Sequence, residues 1–165
     1  MNIYLTSANP LHFSHINTME TAEKKIGGPV ILGICSNINK TSGLFTLTER
    51  KQIAIKYYQI PEEKIRIYHE PEEIREAIER ADRIIRGRRD YRDTAYIHQL
   101  AEQYGVSDQA EKLLVISIPN HLRTISSSRL IRMIYENDYR PEYKWVPDDL
   151  IPVIKDRLAA VGYLY

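Results

Sequence analysis

Cysteine is nearly absent. A single thiol, Cys35, in 165 residues excludes an intramolecular disulfide and any cysteine-based zinc cluster. It lies in the apolar run from Pro29 to Ser36, where a buried thiol is expected. Long apolar stretches are missing too: no segment approaches the ~20 residues of a membrane-spanning helix. Neither sign of charge dominates. With 23 Lys and Arg against 22 Asp and Glu, the net charge is +1, and no global electrostatic case exists for nucleic acid or a membrane surface. Met1-Asn2-Ile3-Tyr4 enters a strand without a basic leader, so no secretory signal is expected and a soluble cytoplasmic protein is the default expectation. Phenylalanine and tryptophan are scarce, two and one, against twelve tyrosines. Amphipathic rings in that number suit surfaces and subunit contacts. No repeat, low-complexity tract or linker divides the chain, so residues 1–165 read as one domain with a real core.

What is present alternates. Asn2–Ser7 reads as a strand. His15–Lys25 reads as a helix from the spacing of Ile16, Met19, Ala22 and Ile26, stopped by Gly27-Gly28-Pro29. Val30–Cys35 is the continuous apolar run of a strand buried on both faces. A polar loop, Asn37–Phe45, leads to Thr46 and Glu49, a capping box for a helix to about Tyr58. Ile65–Tyr68 is a short strand, and Pro71 opens an amphipathic helix with Ile74, Ala77, Ile78 and Ala81 on one face. Arg83–Arg86 is a strand ending at Gly87, Tyr91–Tyr104 a helix, Leu113–Ile118 a strand and Ser126–Tyr135 a helix. Pro147, Asp148 and Asp149 open a last helix with Leu150, Ile154, Leu158 and Val161 on one face. The expected fold is α/β: a Rossmann-like, doubly wound, five-stranded parallel sheet with flanking helices. Such sheets bind ligands beyond the carboxyl ends of their strands.

Four strand exits carry phosphate-friendly groups. The first is Ser7-Ala8-Asn9-Pro10-Leu11-His12-Phe13-Ser14-His15, where two imidazoles meet the start of a helix and its free backbone N–H groups. Metal-binding histidine pairs on one helix prefer a separation of four, so a phosphate suits this spacing of three better. Taken alone, the tetrapeptide from His12 to His15 reads as a turn with two exposed histidines. Arg86-Gly87-Arg88-Arg89 places three guanidiniums around a flexible glycine, or else forms a solvated turn balanced by Asp90 and Asp93. Ser126-Ser127-Ser128, after Leu122, Arg123, Thr124 and Ile125, offers hydroxyls and amides to an oxyanion, or else caps a helix redundantly. Lys40 sits in the polar loop, where most lysines are simply exposed. His69, His98 and His121 read individually as surface or structural.

In order and spacing, these segments resemble the nucleotidyltransferases with a T/H-x-G-H signature, and among them most closely the phosphopantetheine adenylyltransferases. The matching segments are Ser7–Pro10 with His12–His15, Asn39-Lys40 with Gly43–Arg50, Ile85–Arg89 with Asp93, Tyr96, Gln99, Leu100 and Ala101, Ile125–Ser128, and Val146-Pro147. The resemblance implies that an acceptor phosphate attacks the α-phosphorus of ATP and pyrophosphate leaves, without a covalent enzyme intermediate. It implies a catalytic set of His12, His15, Lys40 and Arg89, with His15 on the α-phosphate. It implies an ATP site of Ser7, Ala8, His15, Gly87, Arg88, Arg89 and the stretch Leu122, Arg123, Thr124, Ile125, Ser126, Ser127 and Ser128. Ser7, Lys40 and Arg86 would hold the acceptor, 4′-phosphopantetheine, and the product would be dephospho-coenzyme A. Mg²⁺ would arrive on the nucleotide rather than in a protein cage. A homo-oligomer, typically a hexamer, is also implied.

Four positions depart from the family pattern. His12 stands in the place of Thr, Ser14 replaces the signature glycine and Ile97 replaces a Glu near the nucleotide ribose. Asn9 replaces the usual Asp. These changes leave open another phosphorylated acceptor such as nicotinamide mononucleotide, CTP in place of ATP, or a non-catalytic nucleotide-binding regulator.

Overall fold

The computed structural model describes residues 1–36, 43–90, 93, 102 and 107–162. Five strands, β1 (Asn2–Thr6), β2 (Val30–Cys35), β3 (Ile65–Tyr68), β4 (Arg83–Arg88) and β5 (Leu113–Ser117), form one parallel sheet in the order β3-β2-β1-β4-β5. The chain winds outward from β1 to β3, returns beside β1 as β4, and winds the other way to β5. The expected doubly wound sheet is therefore observed, with its switch point between β1 and β4.

Five helices are described: α1 (Phe13–Ile26), α2 (Leu47–Tyr58), α3 (Pro71–Arg80), α4 (Ser127–Tyr135) and α5 (Leu150–Val161). Met19 and Ala22 of α1 and Ala54 of α2 pack on one face of the sheet with Tyr4, Leu32, Ile34, Ile85 and Ile116. Ile74, Ala77 and Ile78 of α3 cover the other face over Ile3, Leu5 and Ile84. A third cluster joins α4 and α5 to Leu44, Phe45, Ile53 and Trp145. Ends follow their local chemistry. Gly27 closes α1 at φ 71° with its N–H on the Glu23 carbonyl, and Thr46 and Glu49 cap α2 reciprocally at 3.3 and 2.8 Å. Gly33 is required in β2, since a Cβ there would come within 2.6 Å of Leu5 Cδ2.

Several boundaries differ from expectation. β4 runs through Arg88 because it stays paired with β5 to Ser117, so Gly87 and Arg88 also belong to the strand rather than to a turn. α1 begins at Phe13, which puts His12 at its cap and His15 in its first turn. The last helix begins at Leu150, three residues beyond Pro147, and Val161 is 40% exposed rather than on its core face. The end of the polar loop is not polar in its burial: Leu44 and Phe45 are core residues. The helix expected over Tyr91–Tyr104 lies outside the described residues apart from positions 93 and 102.

One buried cation joins the strand exits. Arg50, 8% exposed on α2, donates from Nε to the Phe45 carbonyl at 2.8 Å and from Nη1 to the carbonyls of Ser7 at 3.0 Å and Cys35 at 3.3 Å. Those oxygens follow β1, end β2 and precede α2. Asn9 adds a second tie, its Oδ1 accepting the Phe45 N–H at 3.0 Å. Gly43 fits against both, because a Cβ there would come within 2.2 Å of Asn9 Nδ2 and 2.5 Å of Arg50 Nη2. Replacing Arg50 with Met leaves three buried carbonyls without their donor. The expected loss is about 3 kcal/mol of folding stability, read from urea unfolding. A loss below about 1 kcal/mol would contradict the clamp.

Candidate functional site

The site is built where β1 and β4 end side by side. After β1 the chain turns through Ala8 (φ 46°) and Pro10 into α1. The His12 and His15 rings stack, with centroids 3.7 Å apart and planes at 18°. The His12 backbone N–H donates to Nδ1 of His15 at 3.2 Å. A nitrogen that accepts carries no hydrogen, so neutral His15 is protonated on Nε2 and presents that N–H as a donor. His12 is 4% exposed, and its Nδ1 is a buried nitrogen with no partner among the described residues. The histidines are thus not an exposed turn: the turn packs into the core through Leu11, which is fully buried.

Both imidazoles are held neutral. Burial, then His15 and Arg89, push His12 well below its ordinary value. Burial and the Arg89 charge push His15 down to about 3. A neutral pair is what a stack at van der Waals distance requires, since two imidazoliums would repel.

The α1 entry is less open than a free helix end. The Phe13 amide donates to the Trp145 carbonyl and the His15 amide to the His12 carbonyl, both at 2.9 Å. Ser14, at the position of the signature glycine, is buried at 3% exposure. Its carbonyl accepts the Thr18 hydroxyl at 2.9 Å.

The four residues from Arg86 to Arg89 divide. Arg86 donates from Nη1 to the Leu5 carbonyl at 3.0 Å, which binds it to the end of β1. Gly87 packs closely, since a Cβ would lie 3.0 Å from both Ile118 Cδ1 and Thr18 Oγ1. Arg88 is exposed, 3.5 Å from the Ser117 hydroxyl. Arg89 forms a fork with Asp93, Nε to Oδ2 at 3.1 Å and Nη2 to Oδ1 at 3.0 Å, while its backbone N–H meets Oδ2 at 2.6 Å. Burial opposes ionisation of Asp93, but these donors prevail and hold its carboxyl below the ordinary value. Arg89 therefore stays charged beside two neutral histidines.

The serine run is tied to the same turn. Ser127 Oγ donates to the Pro10 carbonyl at 2.9 Å, and Ser126 caps α4 by accepting the Arg129 N–H at 3.3 Å. Ile125 is buried, Leu122 is half-buried, Thr124 and Arg123 are exposed, and Arg123 Nε donates to the Ile118 carbonyl at 2.9 Å. Ser7 and Ala8 lie at the β1 exit, with the Ser7 carbonyl on Arg50. Lys40 and Ile97 fall outside the described residues. Three contributors were not anticipated: Arg50, Tyr4 beneath His15, and Trp145 at the α1 entry. Arg50 closes the matching segment Gly43–Arg50 and follows the capping Glu49, but neither signal pointed to its clamp on three carbonyls.

The switch point of this doubly wound sheet gathers paired imidazoles, arginines and a serine-capped helix, donors of the kind that suit phosphate oxygens, in the position where such folds bind ligands. The chain belongs to the cytidylyltransferase-like family, which matches residues 3–133, from β1 into α4. A nucleotidyltransferase activity goes with that membership. A search of the curated proteins found no match. No helix among the described residues is long and apolar enough to cross a membrane.

Neutral histidines link folding to pH. A group whose folded pKa lies below its unfolded value contributes stability that is complete above the unfolded value, 6.5 for histidine, and is lost as pH falls toward the folded value. Urea midpoints should therefore drop between pH 7 and 5, above the range where carboxylates titrate. His12→Thr should flatten that drop. An unchanged slope in the variant would contradict a neutral, buried His12.

Proposed function

We propose that this protein transfers the adenylyl group of ATP to the phosphate of 4′-phosphopantetheine, giving dephospho-coenzyme A and pyrophosphate. An oxygen of the acceptor phosphate attacks the α-phosphorus, and the bond to the bridging oxygen of the β-phosphate breaks. The observation that carries the reading is the meeting, at the β1/β4 switch point, of the His12–His15 stack with Arg89, the residue after β4, whose charge acts on both imidazoles. No side-chain nucleophile is needed, because positioning and charge stabilisation suffice for such a displacement.

In this reading His15 offers its Nε2–H to the α-phosphate as charge develops. Nδ1 of His12, without a partner among the described residues, supports a ligand at the same place. Arg86 and Lys40 hold the acceptor phosphate, and Ser7 and Ala8 line the approach. Gly87, Arg88 and Arg89 line the ATP side. Leu122 to Ser128 close over ATP, with Ser126 and Ser127 near its phosphates. Magnesium enters as part of the substrate, MgATP. The donors gathered here are imidazoles and guanidiniums, which do not make a magnesium cage. No group of three or more His, Cys, Asp or Glu side chains suited to a metal occurs among the described residues.

A second reading keeps the chemistry and changes the partners. It rests on His12, an imidazole where the adenylyltransferase pattern has Thr, and takes nicotinamide mononucleotide as acceptor or CTP as donor.

The test is pyrophosphate release over a panel of acceptors with ATP or CTP and Mg²⁺. Phosphopantetheine with ATP is expected to exceed every other pair. No release with phosphopantetheine from a protein shown to bind ATP would overturn the reading, and a better rival acceptor would favour the second. His15→Ala should lower kcat by roughly 10²–10³-fold with the fold intact. Lys40→Ala and Arg86→Ala should raise acceptor KM while ATP binding holds. The same reading extends to a homo-oligomer, a hexamer by resemblance. Light scattering showing one species at the 19.3 kDa chain mass would rule that out.

A further inference from the structure

Tyr4 is the buried titratable side chain at the switch point that the roles above leave unused. It sits mid-strand in β1, paired with Leu32 of β2 on one side and Ile85 of β4 on the other, and is 6% exposed. Its ring centroid lies 6.2 Å from that of His15, with planes at 49°. His15 therefore has two ring neighbours: His12 stacked at 3.7 Å and Tyr4 tilted at 6.2 Å. The phenol lies beside the hydroxyls of Thr18 and Thr6, and the charges of Arg86 and Arg89 act on it. Burial holds it neutral, with its pKa pushed up to about 12.

The His12 N–H on Nδ1 fixes which nitrogen of His15 carries the hydrogen, but one hydrogen bond leaves the ring free to tilt about it. The His12 ring bounds that tilt on one side only. Without a second wall, the Nε2–H would sweep over a range of directions, and a donor to developing charge is effective only when its direction is already set. Tyr4 is that wall. It is anchored by a central strand hydrogen-bonded on both edges, whereas His12 rides on a turn. Tilted and offset rings at about this separation attract one another, so the contact is favourable as well as steric.

We infer that Tyr4 is a positioning residue for His15, its ring holding the imidazole against His12 so that Nε2–H points at the reacting phosphate. The inference rests on the role proposed for His15. The ring, not the hydroxyl, does this. Tyr4→Phe should keep kcat within about threefold of wild type, and Tyr4→Met, which fills the space with a flexible chain, should lower kcat about tenfold with ATP KM nearly unchanged.

The geometry is read independently of turnover by the nuclear Overhauser contacts between the His12 and His15 rings, which should weaken in Tyr4→Met and persist in Tyr4→Phe. In the wild-type protein, a nuclear Overhauser contact between the Tyr4 ring and His15 is expected whether or not Tyr4→Met folds. Absence of that contact, or His12–His15 contacts undiminished in Tyr4→Met, overturns the inference. If no acceptor turns over but the ring contacts behave as stated, the positioning stands and the proposed function alone fails.

Discussion

One guanidinium ties the ends of β1 and β2 to the start of α2. Arg50 reaches from α2 to the carbonyls of Ser7, Cys35 and Phe45, and so fixes the end of β1, the end of β2 and the start of its own helix relative to one another. Buried cations are costly to desolvate, and this one is tolerated because carbonyl oxygens surround it. The turn that carries His12 and His15 begins at Ser7 and is tied again through Asn9 to Phe45 and through Pro10 to Ser127. Four segments distant in sequence are thereby held to the tolerances that phosphoryl chemistry needs.

On that frame sits an electrostatic division of labour. Arg89 keeps its charge through the fork with Asp93, and the same charge helps to keep His12 and His15 neutral. Charge and hydrogen-bond donation are thus given to different residues. An arginine attracts the phosphates at any pH, while a neutral imidazole supplies a directed N–H without adding a second positive centre beside the first.

The chain announced its architecture clearly. Val30–Cys35 and Ile65–Tyr68 were legible to the residue as strands because their apolar runs are bounded by turn chemistry on both sides, and α2 because Thr46 and Glu49 name its start. Less was legible at the site. The strand read as ending at Gly87, since charge and glycine mark turns locally, yet pairing with β5 carries it on to Arg88. The histidines read as exposed because polarity alone cannot show that Leu11 would draw their turn inward. Strand order was not written in any local pattern, and strand order is what brings residue 12 beside residue 89. Tyr4 and Trp145 escaped notice for the same reason: their parts come from neighbours distant in sequence.

The central claim is that His15 is a neutral imidazole protonated on Nε2 and aimed by its surroundings. Nitrogen-15 NMR of the histidine side chains tests it directly. Across a titration from pH 8 to 5, His15 is expected to show a protonated Nε2, a bare Nδ1 and no change of state. A His15 that carries its hydrogen on Nδ1, or that titrates near 6.5, would contradict the account.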